Sequence, residues 1–209
     1  MVRLREAHLR SAPARPHRRI PPLAGLFFRS VAGLQTESGT YIVHPNREKA
    51  ISQATKATVM LLLIAVAVLF LIVTVGGWKS LEGVQIISIA YALICLLMAY
   101  YVARWNRGVL PVAAGLAIIF GIVAVIAGPQ WFYRDHAGYH NPGLPPSLLG
   151  LLTLIIVPVE FLLIVFAMRG FTQQWNVEVE ISRDDYERGD WRGREIDEET
   201  GGFKPQAEG

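Results

Sequence analysis

The chain has 209 residues, 52% of them hydrophobic and 18% charged, with a formal net charge of +3 and a mean hydropathy of +0.35. Soluble domains carry about 25% charged residues, and here the apolar residues gather in long charge-free runs. That pattern excludes an ordinary soluble enzyme and points to an integral membrane protein. A single cysteine, Cys95, excludes an intrachain disulfide and any cysteine-based metal or redox motif.

The N-terminal arm, residues 1–57, is rich in Arg, Pro, His and Ala. Residues 1–58 hold ten Arg or Lys against three Glu, a balance of +7. An arm of this kind can bind nucleic acid, but this one abuts an apolar run, so anionic lipid headgroups are the nearer partner and no nucleic acid is expected. The segment IPPLAGLFFRSVAGL can touch a membrane surface through Phe27 and Phe28. The rest of the arm is expected to be largely disordered.

Four apolar runs follow, at about 58–75, 84–102, 109–127 and 148–168. Each is long enough to cross a hydrocarbon core of about 30 Å at 1.5 Å per residue. In lipid the backbone must bond to itself, so the runs are predicted to be helices. The expected fold is an all-α four-helix transmembrane bundle over 58–168, flanked by the arm and by an acidic tail, 169–209. Arg104 and Arg107 lie in the connector between the second and third runs, and Arg169 follows the fourth, whereas Lys79 and Glu82, and Arg134 and Asp135, cancel in the other two connectors. The positive-inside rule therefore places both termini in the cytoplasm. The aromatic clusters are expected at the interfaces: Trp78 and Trp131–Tyr133 outside, Tyr100, Tyr101, Trp105, Phe171 and Trp175 inside.

Within the third run, Ala113, Ala117 and Gly121 stand four apart and line one helical face. Such small residues promote helix packing, within the chain or between copies. The connector WFYRDHAGYHNPG holds Asp135, His136 and His140, all metal-ligand types. Gly138 and the turn signal Asn141-Pro142-Gly143 argue against a helix that would align the two histidines. The alternatives for this stretch are an interfacial loop, a docking surface and a metal-dependent site.

The fourth run, LLTLIIVPVEFLLIVFAMRG, carries Pro158 and Glu160. Proline removes the backbone bond to the carbonyl of Leu154 and should kink the helix. Glu160 stands eight residues before Met168, roughly 12 Å inside the run at helical rise. A charged acid at such depth costs about 2.5–3.5 kcal/mol on insertion scales, so a role for it is the default hypothesis. It can carry a proton in a transport cycle, or hydrogen-bond across a helix interface. Small multidrug transporters also have four helices and a membrane acid, but theirs lies in the first helix of a shorter chain.

The tail opens with WNVEVEIS, in which Val177, Val179 and Ile181 alternate with polar residues as a strand would. A lone strand needs a partner to pair with. Ser182 with Asp185 forms a helix-capping signal for about one turn, and the remainder is expected to be disordered. The stretch DDYERGDWRGREIDEETGGF resembles an acidic cytoplasmic segment of a four-helix accessory subunit of actinobacterial cytochrome oxidases. The likeness covers twenty residues and lies at the end of this chain, not between its helices.

No P-loop, nucleophile elbow, dinucleotide fingerprint, kinase set or metalloprotease motif is present. The leading expectation is a non-enzymatic accessory or scaffold subunit or a small homo-oligomer, without cofactor, partnered by lipid and by other membrane subunits or itself. Proton-coupled transport through Glu160 and a metal-dependent activity in the outer loop are the alternatives. Sixteen Arg against four Lys point to a GC-rich coding sequence and a bacterial inner membrane. The Arg-rich, acid-poor start makes a mitochondrial inner membrane the runner-up.

Overall fold

Leucine, alanine and the β-branched residues dominate each apolar run, and each forms a helix that leaves few backbone groups unpaired. A computed structural model describes residues 34–35, 40–134, 142–189, 191–197 and 202–204. In chain order these form β1 (Leu34–Gln35), β2 (Tyr41–Val43), α1 (Pro45–Glu48), α2 (Ala50–Gly76), a 3₁₀ turn (Trp78–Ser80), α3 (Val84–Ala103), α4 (Val109–Tyr133), α5 (Pro146–Thr172), β3 (Val179–Ile181) and α6 (Arg183–Arg188). Helices α2 to α5 are long and apolar enough to cross a membrane.

The helices run longer than the apolar runs. α2 begins at Ala50, eight residues before the expected boundary, and α4 continues through Pro129 to Tyr133. The extra turns are polar or aromatic, so hydropathy misses them, but Ser52 and Thr55 are buried and Thr55 returns its hydroxyl to the carbonyl of Ile51 at 2.8 Å. α3 starts after Gly83, whose φ of +95° suits glycine. It ends at Trp105, with φ +62°, where the N–H groups of Trp105 and Asn106 bond the carbonyls of Val102 and Tyr101. Glycine usually fills that position. Here the Trp105 ring packs edge-on against Trp175 at 5.4 Å, which offsets a left-handed cost of roughly 1–2 kcal/mol.

The most extensive helix contacts are α4 with α5, α2 with α3 and α2 with α5, while α3 and α4 touch only sparsely. Buried positions recur at alternating steps of three and four. In α5 they include Leu149, Thr153, Ile156, Glu160, Leu163, Ala167 and Gly170, and in α3 Ser88, Tyr91, Cys95, Met98 and Val102. That spacing is the seam of coiled-coil-like bundle packing. Ala113 and Ala117 are fully buried on the α4 seam, which continues to Ala124, Gly128 and Trp131, and Gly128 closes onto Leu154 of α5. The small-residue face is thus an internal contact with α5.

Residues 40–57, part of an arm expected to be largely disordered, instead form β2, α1 and the first turns of α2, and the tail forms the expected strand and capped turn. β2, from before the first long helix, pairs antiparallel with β3, from after the last, with Tyr41 opposite Ile181 and Val43 opposite Val179; β1 pairs on the other side of β2. The tail strand therefore finds its partner in the N-terminal arm. Val43, Val179, Ile181 and Trp191 make a small core under this sheet, and Ser182 caps α6 by accepting the N–H of Asp185 at 3.2 Å. Further on, Ile196 bridges Phe203. Asn46 donates to the carbonyl of Gln174 at 3.1 Å and Arg47 to that of Trp175 at 2.8 Å. Together these contacts clasp the two ends of the chain. Local hydropathy cannot reveal a pairing across so many residues.

Two of the aromatics expected at the interfaces are packed inside the protein. Trp131 is buried against Val73 and Leu149, and Trp175 is fully buried beneath Gly170 and Trp105. Phe132 and Tyr133 remain exposed.

Candidate functional site

Each long helix sends one or two side chains to the middle of the bundle. Glu160 of α5 occupies a seam position twelve residues from Thr172, roughly 18 Å along the helix. It is 1% exposed. Pro158, one half-turn earlier, lies within an unbroken α5 and withholds a backbone donor from the carbonyl of Leu154. Tyr91 of α3, also 1% exposed, donates its hydroxyl to Glu160 Oε1 at 2.8 Å. Cys95, also buried, follows Tyr91 by one turn on the same face.

The Tyr91 ring is fixed on both remaining sides. It stacks on Phe120 of α4 with centroids 3.6 Å apart and meets Phe70 of α2 edge-on at 4.9 Å. Phe70 also meets Phe120 edge-on at 5.7 Å. These three rings join α2, α3 and α4 beside the acid. Gly121 turns its bare face to Glu160, so a Cβ added there would lie 3.5 Å from Glu160 Cβ.

Glu160 Oε2 is enclosed and, among the described residues, has no hydrogen-bond partner. A buried polar atom without a partner costs about 1–3 kcal/mol. The arrangement can therefore do two things. It ties α3 to α5 diagonally through one short bond, and it leaves one carboxyl oxygen able to take a proton or receive a donor.

Sequence reasoning finds Glu160 and the residues 113, 117 and 121, but not Tyr91, Phe120, Phe70 or Cys95. The structure brings Gly121 to Glu160 and leaves Ala113 and Ala117 further along the α4–α5 seam. Asp135, His136 and His140 lie outside the described residues. Among the described residues no group of three or more His, Cys, Asp or Glu is placed to hold a metal ion. No protein-family model matches the chain, and no curated protein or solved structure is similar to it.

Proposed function

We propose that the chain is a multi-pass protein of the bacterial inner membrane, with both termini in the cytoplasm, that works as a non-enzymatic accessory or scaffold subunit. The observation that carries this reading is the clasp. The arm and the tail fold together into one module, with Trp191 buried beneath its sheet and Glu178 and Glu180 exposed along β3. Such a module at the end of an apolar bundle serves as a platform for a partner subunit. Gentle affinity purification from native membranes is the test. A stoichiometric partner is expected with the full chain, and lost when residues 175–209 are removed. A full-length chain that purifies only with copies of itself overturns the accessory-subunit reading in favour of a homo-oligomer.

The second reading is proton-coupled transport, favoured by the enclosed, unpartnered Oε2 of Glu160. Infrared difference spectroscopy of the reconstituted protein distinguishes the two. A proton carrier gives a protonated-carboxyl band that rises and falls with pH and is missing in Glu160→Gln. A structural acid gives no titrating band, and Glu160→Gln then leaves folding and partner binding nearly unchanged.

A further inference from the structure

Lys56, Arg104, Arg107 and Arg169 gather at the end of the bundle that carries the clasp: Lys56 near the start of α2, Arg104 closing α3, Arg107 before α4 and Arg169 in the last turn of α5. Five acids of the arm and tail are engaged elsewhere. Glu48 pairs with Arg192, Glu178 with His44, Asp185 with Arg188, Glu187 with Arg183 and Glu195 with Lys204. Among the described residues, none of the four cations has a carboxylate within ion-pair distance.

Two of them are instead held by neutral groups. Lys56 Nζ donates to the carbonyl of Ala103 at 3.1 Å and lies 4.0 Å from the centre of the Trp105 ring. Arg107 donates to Asn176 Oδ1 at 2.9 Å and stacks 4.2 Å above Phe171, while its enclosed Nε has no partner. Arg104 and Arg169 are exposed on either side. Tyr100 and Tyr101, both exposed, complete an aromatic girdle at this level. Rings at this depth mark the boundary between hydrocarbon and headgroups.

We propose that this collar binds the phosphate groups of anionic membrane phospholipids. The inference rests on the membrane reading above. Cations pre-positioned by rings, without internal counter-charges, match headgroups whose phosphate carries no compensating amine. Asp185, Glu187 and Glu195 of the tail already serve Arg188, Arg183 and Lys204, and so do not fill the collar.

The test uses the full chain in nanodiscs made from equal parts phosphatidylglycerol and phosphatidylcholine, with native mass spectrometry of the lipids it retains. Wild type is expected to enrich phosphatidylglycerol. Each collar charge removed should lower the enrichment about fivefold, as expected for one basic residue near a charged surface. Arg107→Gln is one variant. Arg104→Gln with Arg169→Gln, both exposed, is the second and leaves the packed Arg107 untouched. Insertion without enrichment, or enrichment unchanged in both variants, overturns the collar and leaves the membrane reading intact. A chain that does not incorporate into nanodiscs overturns both. Inorganic phosphate should not stabilise the detergent-purified protein; equal stabilisation by phosphate and by lipid would assign the collar to free anions instead.

Discussion

Glu160 and Tyr91 depend on each other more than either depends on its neighbours. A hydrogen bond between membrane helices is worth about 0.6 kcal/mol on average and rarely more than about 1.7. An acid stripped of its only partner loses more than that, because neither oxygen is then satisfied. Tyr91→Phe is expected to destabilise the protein by about 1–3 kcal/mol, seen as a lower midpoint of thermal unfolding in detergent. The double variant Tyr91→Phe with Glu160→Leu should recover most of the loss, since replacing both polar partners by apolar groups is often close to neutral. If the double variant is worse than the single, the pair is not an isolated polar bond and the account given for it is wrong. The sequence makes Glu160 visible because an acid stands out in an apolar run. It hides Tyr91, because α3 holds Tyr91, Tyr100 and Tyr101, and which of them faces inward follows from packing alone.

Two glycines separate kinds of contact that a sequence cannot tell apart. At Gly121 an added methyl would sit at ordinary contact distance from Glu160. Alanine is also the better helix former by about 1 kcal/mol, so Gly121→Ala should be neutral or stabilising. At Gly77, which caps α2, the same methyl would lie 2.5 Å from the buried Trp131 ring and 3.0 Å from the carbonyl of Val73. Gly77→Ala is expected to cost about 1–3 kcal/mol, as overpacking does. Urea or thermal unfolding of both variants in one detergent tests the contrast, and equal stabilities would contradict the packing described. The number of long helices and the centre of each are legible from apolar runs. Their ends are not, because the terminal turns are polar. The buried face is not legible either, since every face of such a helix is apolar. Only small residues such as Ala113 and Ala117 betray the α4 seam.

The clasp joins distant parts of the chain, and His44 sits at its joint. Its ring nitrogen lies 3.2 Å from a Glu178 carboxylate oxygen. Burial, then the nearby Arg47 guanidinium, hold the imidazole below its usual value of 6.5, against the raising pull of Glu178. Above that value the histidine is neutral whether the arm is paired or released, and the clasp has its full stability. As the pH falls below it, the released arm takes up a proton more readily than the paired one, and the clasp weakens. Amide exchange at Tyr41–Val43 should therefore be faster at about pH 5.5 than at about pH 7.5, after correction for intrinsic rates, and His44→Gln should flatten the difference. The amphipathic rhythm of β3 is readable in WNVEVEIS. Its partner is not, because three residues of β2 carry too little pattern to be matched across the intervening helices.

The pairing of β2 with β3 also orders events in time. Tyr41 waits for Ile181, 140 residues later, which at a synthesis rate of roughly 5–20 residues per second leaves the arm unpaired for about 7–28 s. If the four helices span a bilayer, as proposed, the sheet can close only when an even number of them has threaded it, for otherwise the two strands lie on opposite sides. A chain with one helix left out or turned over keeps bare strand edges and an uncovered Trp191. The closed sheet thus records that the two strands have come to lie on the same side, and exposed edges would mark a failed chain for removal.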